Sequence, residues 1–89
     1  MIAKSIIIFG SVQGVNYRYY TKKTADSLGL KGYVKNNPDG SVNVLAIGKE
    51  TSVNELIEWC KKGPKFANVK ELKEKEVEID NHINDFRIN

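Results

Sequence analysis

A tight turn in the middle of the chain, Asn37-Pro38-Asp39-Gly40, does most to limit the folds that this sequence can adopt. It joins two short runs, Lys31–Asn36 and Ser41–Ile47, and the second run alternates with Val42 and Val44 on one face. Proline presets φ for a turn, and aspartate and glycine favour conformations that reverse the chain. Alternating runs on both sides of such a turn predict an antiparallel β-hairpin. The fold must therefore be built around a central hairpin.

A helical pattern precedes this hairpin, from about Asn16 to Leu28. Asn16 is a suitable N-cap, because its side-chain oxygen can accept a hydrogen bond from the first turn of a helix. Gly29 follows the last turn, where a left-handed residue commonly ends a helix. The predicted apolar face of this helix consists of Tyr17, Tyr20, Thr24, Ala25 and Leu28.

A second helical pattern follows the hairpin. Ser52 and Glu55 have the spacing of a capping box, which predicts the beginning of the helix near Ser52. The helix should stop at Gly63-Pro64, because proline cannot continue it. Apolar residues recur at the spacing of one helical face: Val53, Leu56, Ile57 and Cys60.

Three further segments are predicted to be strands. Ala3–Phe9 contains a short β-branched apolar run, Val69–Ile79 is a strand with many charged outward positions, and Phe86–Ile88 is a short last strand. The resulting order is β-α-β-β-α-β with one added strand. Two interleaved βαβ units of this kind predict a ferredoxin-like α+β sandwich, with one antiparallel sheet and two helices on one face. With 89 residues, we expect a single domain over residues 1–89.

The composition excludes several classes of site. One cysteine, Cys60, and one histidine, His82, rule out a disulfide framework and are too few for a zinc site. No apolar run approaches the roughly 20 residues that cross a bilayer, and the run near the first residue is too short for a secretory signal. We therefore expect a cytoplasmic protein that binds no metal and no membrane.

The charges are distributed unevenly along the chain. Residues 1–48 contain six Lys and Arg against two Asp, whereas residues 49–89 contain eight basic against nine acidic residues. A basic first half suits a small anionic ligand. Nucleic acid is not expected as a partner, because its binding calls for a clustered basic stripe.

The loop between the first strand and the first helix is the first candidate site. Gly10 and Gly14 allow the backbone to curl so that successive N–H groups point into one concavity, and the helix that follows adds its positive end. Arg18, in the first turn, can present two parallel donors to a phosphoryl group. These residues predict a phosphate cradle. Taken alone, the loop is more typical of an ordinary glycine turn with a solvated arginine, because short glycine motifs often match by chance.

Asn36, at the end of the strand before the central turn, is the second candidate. Its carboxamide has both a donor and an acceptor, so it can hold a water molecule in a chosen orientation. Taken alone, Asn36 and Asn37 could also be simple turn residues.

Together the two stretches resemble a known family. The run GSVQGVNYR, from Gly10 to Arg18, resembles the first signature of acylphosphatases, G-x-V-Q-G-V-x-[FY]-R, and the run from Gly32 to Gly48 fits the second. The resemblance extends over essentially the whole chain. Two positions depart from it: Ser11 stands where the family usually has a basic residue, and Asn16 where an aromatic or apolar residue is frequent. We expect these departures to affect the rate and not the reaction.

The resemblance implies a function as well as the ferredoxin-like fold. Acylphosphatases hydrolyse the carboxyl-phosphate bond of acyl phosphates without a cofactor or metal. By resemblance, Arg18 and Asn36 are the catalytic residues, Asn36 orienting the attacking water. Inorganic phosphate would be the product and a competitive ligand, and we expect a monomer. The phosphoryl oxygens would be bound by Arg18 and by the main-chain N–H groups of Gln13, Gly14, Val15 and Asn16.

Two other functions compete with this one. RNA-recognition motifs share the predicted topology, but Asn36 stands where their second aromatic residue is expected. The second alternative is a module that binds phosphate or an acyl phosphate without hydrolysing it. It is kept because Ser11 and Asn16 depart from the family pattern. Outside the two signatures, we expect His82 to be a surface loop residue and Cys60 a core residue.

Overall fold

The computed structural model describes all residues, Met1–Asn89. Five strands and two helices alternate along the chain. They are β1 (Ile2–Ser11), α1 (Tyr17–Ser27), β2 (Lys31–Asn36), β3 (Val42–Gly48), α2 (Glu50–Lys62), β4 (Asn68–Val77) and β5 (Phe86–Ile88). This order confirms the predicted α+β, ferredoxin-like arrangement.

All five strands join one sheet in the order β4-β1-β3-β2-β5. Four of them pair antiparallel, as predicted, and the added strand β5 pairs in parallel with β2. The reason lies in the path of the chain. After β4 the chain reverses and crosses to the opposite edge of the sheet. Because β2 also runs opposite to β4, β5 arrives beside β2 in the same direction.

The two helices cover one face of the sheet and enclose the core. Alternate strand residues point into it, among them Ile6 and Ile8 of β1 and Val34 of β2, all of which are fully buried. Helix α1 packs over β2 and β5, and α2 packs over β1, β3 and β4. This places the beginning of α1 beside the ends of β2 and β5.

Both helices differ locally from the prediction. The buried face of α1 consists of Tyr17, Thr21 and Ala25, while Tyr20 is 42% exposed. Helix α2 begins at Glu50, so Ser52 lies inside it and no capping box forms. Strand β3 runs into α2 with only Lys49 between them, and the first helical bond joins the Val53 N–H to the Lys49 oxygen at 2.9 Å.

Candidate active site

The loop from β1 to α1 begins at a close approach between two strands. The pairing of β1 with β4 shifts register between Phe9 and Gly10. Gly10 has a φ of 131°, and a Cβ atom there would overlap the carbonyl oxygen of Asn68. Only glycine fits this position, so the bulge redirects the chain toward the start of α1.

The main-chain N–H groups of this loop are free of main-chain partners. None of residues 12–16 donates a hydrogen bond to another main-chain oxygen, and the first bond of α1 runs from the Tyr20 N–H to the Asn16 oxygen at 3.2 Å. Gly14 and Asn16 have φ values of 77° and 63°, with Val15 between them at negative φ. Such alternation turns successive N–H groups to one side, and the adjacent N-terminus of α1 adds a positive field. The loop is therefore built to receive an anion.

Asn16 lies directly before α1, as predicted, but it does not cap the helix with its side chain. Its backbone is left-handed and its side chain makes no capping hydrogen bond. A left-handed residue cannot direct its side chain back at the first turn as an extended N-cap does. Asn16 therefore contributes its backbone conformation to the site.

Arg18 lies in the first turn of α1, with its side chain beside the last residues of β5. Its Nη1 donates a hydrogen bond of 3.0 Å to the main-chain oxygen of Asn89. The N–H of Asn89 in turn donates to the Val34 oxygen of β2 at 2.9 Å. The guanidinium is thus held against the sheet, and its remaining donors are left for a ligand.

Asn36 is the last residue of β2, and its exposed carboxamide makes no hydrogen bond within the protein. The turn after it is closed by two main-chain bonds, from the Asn37 N–H to the Ser41 oxygen at 2.8 Å and from the Gly40 N–H to the Asn37 oxygen at 3.1 Å. This confirms the central hairpin. The turn fixes the backbone of Asn36 while its side chain stays available.

A cavity of about 260 Å³ brings most of the predicted site together. Both signatures meet in it, because Arg18 and the loop come from the first and Asn36 from the second. Gln13 and Val15 do not line it. The lining residues are Val12, Gly14, Asn16, Tyr17, Arg18, Tyr19, Asn36 and Ile88.

The side chain of Gln13 has a role that the sequence did not indicate. Its Nε2 donates to the main-chain oxygens of Asn37 and Ser41, at 2.8 and 2.9 Å. The loop is thereby fastened to the turn that follows Asn36. Ile88 and Asn89 were also missed, because their proximity to Arg18 arises only when β5 docks beside β2.

The buried Tyr17 anchors the start of α1 to α2. Its hydroxyl donates a 2.7 Å hydrogen bond to the main-chain oxygen of Cys60, and its ring lies 5.5 Å from that of Trp59. Burial raises the pKa of the Tyr17 hydroxyl well above its usual range and that of the Cys60 thiol to about 12. Cys60 is a core residue, as predicted, and it is protonated near neutral pH.

The rest of the molecule offers fewer candidate groups. His82 is an exposed loop residue, as predicted, and its N–H lowers the pKa of Asp80 by hydrogen bonding. It lines a separate cavity of about 290 Å³ beside Tyr33 and Arg87. Nowhere do three His, Cys, Asp or Glu side chains come close enough to hold a metal ion. Neither helix has the length and hydropathy that a bilayer crossing requires.

Comparison with known proteins adds independent findings. The family model of acylphosphatases matches residues 4–88. The acylphosphatase of Pasteurella multocida is 43% identical over 88 residues, covering 99% of this chain and 98% of that protein. The acylphosphatase of Archaeoglobus fulgidus is 45% identical over 82 residues, 92% of each chain. The crystal structure of acylphosphatase from Bacillus subtilis superimposes with a TM-score of 0.95 at 36% identity, covering 100% of this chain and 99% of that one.

Proposed function

The chain belongs to the acylphosphatase family, and from that premise we propose how its own residues hydrolyse an acyl phosphate. Arg18 and the main-chain N–H groups of Gln13, Gly14, Val15 and Asn16 bind the phosphoryl oxygens. Asn36 orients a water molecule for attack on phosphorus. The proposal thus assigns phosphate binding and water orientation to particular groups of this chain.

The reaction is a displacement at phosphorus. The water oxygen forms a bond to phosphorus, the bond from phosphorus to the carboxyl oxygen breaks, and its electron pair leaves with the carboxylate. The proton of the water passes to a phosphoryl oxygen. Because the carboxylate is a good leaving group, positioning and electrostatic stabilisation can supply most of the rate enhancement. No side chain has to act as a strong base.

One observation carries the proposal: Arg18 and Asn36, 18 positions apart in the sequence, line the same cavity. The free N–H groups of the loop support it, because they offer the charge-assisted donors that phosphoryl oxygens accept. The positive end of α1 acts in the same direction.

The two departures from the family pattern fit this proposal differently. Ser11 is exposed at the end of β1 and pairs with Asn68 of β4, so no positive charge stands there to assist the loop. Asn16 keeps the left-handed backbone that the cradle uses. We propose that the loop binds phosphate through its backbone and Arg18, without help from a second basic side chain.

Hydrolysis of acetyl phosphate in the presence of EDTA tests the proposed function. The wild-type protein should release inorganic phosphate, added phosphate should inhibit competitively, and a protein lacking both working side chains (Arg18→Ala with Asn36→Ala) should serve as the blank. Turnover that requires an added divalent metal would contradict the proposal. Phosphate binding without turnover would instead identify the silent binding module. The cytoplasmic location and the monomeric state stay predictions.

A further inference from the structure

Two exposed apolar side chains stand at the mouth of the candidate active site. Tyr19 is 55% exposed and Ile88 is 42% exposed, and both line the cavity that contains Arg18 and Asn36. A single exposed apolar side chain is ordinary, but two that line the same polar cavity form an apolar patch against which a ligand can bury surface.

The other apolar residues of this cavity are not free to contact a ligand in the same way. Val12 and Tyr17 are buried in the hydrophobic core, and the hydroxyl of Tyr17 is engaged with Cys60. The remaining lining groups are polar or glycine. Tyr19 and Ile88 therefore provide most of the apolar surface that a bound substrate can reach.

The same two residues also line a neighbouring cavity of about 330 Å³, together with Lys22, Lys23 and Asp26. Tyr19 and Ile88 thus lie between the phosphate-binding loop and this second cavity, and they line both cavities. A ligand whose phosphoryl group lies in the cradle can therefore extend across Tyr19 and Ile88 without leaving the protein surface.

This surface is held in place before any ligand binds. The ammonium of Lys22 donates to Asp26 at 2.9 Å and to the Phe86 oxygen at 2.8 Å, which ties α1 to β5. The Tyr19 ring packs edge-on against Tyr20, with ring centroids 5.0 Å apart. Preorganised apolar surface favours binding, because little conformational freedom is lost.

We propose that Tyr19 and Ile88 form the binding site for the acyl group of the substrate. The site would take apolar acyl groups of about the size of a benzoyl ring, which can stack on Tyr19 and contact Ile88. This inference rests on the proposed function, because it requires the phosphoryl group to occupy the cradle.

The proposal makes a distinctive kinetic prediction. Contact with the acyl group is the same in the bound substrate and in the transition state, so its loss should raise KM and change kcat little. The loss of affinity should be larger for benzoyl phosphate than for acetyl phosphate, because an acetyl group has only one methyl to bury. Removing either side chain should therefore lower the ratio of kcat/KM for benzoyl phosphate to that for acetyl phosphate, by about tenfold.

The test compares both substrates in wild-type protein and in Tyr19→Ala, Ile88→Ala, Tyr19→Phe and Phe66→Ala. Tyr19→Phe keeps the ring and should keep the wild-type ratio. Phe66 is an exposed aromatic residue that lines neither cavity, so Phe66→Ala should leave both substrates unaffected.

Two results would overturn the acyl site alone: an unchanged ratio in Tyr19→Ala and Ile88→Ala, or an equal loss on both substrates that appears in kcat. A ratio that falls as far in Tyr19→Phe as in Tyr19→Ala would also overturn it, since the hydroxyl and not the ring would then matter. A wild-type protein that hydrolyses neither substrate would overturn the proposed function, and the acyl site with it.

Discussion

Gln13 donates a hydrogen bond of 2.8 Å from its side-chain amide to the main-chain oxygen of Asn37, the residue directly after Asn36. The same amide reaches the Ser41 oxygen at 2.9 Å across the turn. The loop that would bind phosphate and the strand end that would hold water are thus joined by one side chain. Their relative position depends on a contact between residues 24 apart in sequence.

Replacing Gln13 with alanine should loosen this connection. Two hydrogen bonds are lost, but the Asn37 and Ser41 oxygens keep their main-chain donors, so we expect the free energy of unfolding to fall by about 1 kcal/mol. We also expect kcat to fall roughly tenfold, because a displaced water is poorly aligned for attack. Urea denaturation and steady-state kinetics measure the two effects.

Asn43→Ala is a matched control for this change. Its amide has one weak contact, with Ser5 at 3.5 Å, and lies away from the site. A loss of stability and of kcat in Gln13→Ala no greater than that in Asn43→Ala would contradict the proposed connection.

Arg18→Ala should have the largest effect on activity. Arginine at phosphoryl-transfer sites is worth about 10³–10⁵ in rate, so we expect kcat/KM for acetyl phosphate to fall by roughly 10³ or more. Arg18→Lys should recover only a small part, because an ammonium cannot present two parallel donors. The inhibition constant of inorganic phosphate should rise in both variants.

The other arginine of the chain provides the control. Arg87 is exposed and its Nε pairs with Asp85 at 2.9 Å, outside the candidate site. Arg87→Ala should therefore retain nearly full activity. Equal losses in the two alanine variants would mean that general positive charge, and not the position of Arg18, supports turnover.

Asn36→Ala should separate catalysis from binding. If Asn36 acts on the water, we expect kcat to fall by roughly 10²–10³, the range seen when one positioned hydrogen-bonding group is removed from an active site. The inhibition constant of phosphate should change little, since the cradle remains. Asn54→Ala, an exposed position of α2, is the comparison. A large loss of phosphate affinity with unchanged kcat would assign Asn36 to binding instead.

Much of this architecture could be predicted from local pattern. The hairpin around Pro38-Asp39 and the limits of β2 and β5 follow from alternation and turn chemistry, and the structure confirms them. Arg18 and Asn36 are predicted as site residues because the two signatures are specific when both are present. Their meeting in one cavity is consistent with that reading.

Other features could not be predicted because they depend on long-range packing. The side-chain hydrogen bonds of Gln13 can form only when the hairpin packs against the loop between β1 and α1. The position of Ile88 beside Arg18 requires the chain after β4 to cross to the opposite edge of the sheet, so that β5 pairs with β2. Tyr20 is exposed because α1 packs on β2 and β5 through the face of Tyr17, Thr21 and Ala25, and the spacing of apolar residues alone does not select that face.

Asn16 offers a test of the backbone cradle. An alanine would be strained at a φ of 63°, so Asn16→Ala should lower the free energy of unfolding by about 1 kcal/mol. Glycine adopts this conformation freely, so Asn16→Gly should be nearly neutral in stability. If only the N–H of residue 16 binds phosphate, Asn16→Gly should also keep kcat/KM within a few-fold. A loss in Asn16→Gly as large as that in Arg18→Ala would show that the side chain is needed.

The buried thiol of Cys60 should make the protein sensitive to alkali. Burial raises its pKa from 9.0 to about 12, so above pH 9 the unfolded chain loses this proton more readily than the folded one. The contribution of the buried thiol to the free energy of unfolding is complete below pH 9. It is lost as the pH rises toward 12, at up to about 1.4 kcal/mol per pH unit. Denaturation of wild-type protein and Cys60→Ala at intervals over this range isolates the contribution, because the other titrating groups are common to both. The wild-type curve should fall more steeply, and parallel curves would mean that the thiol is not held protonated by burial.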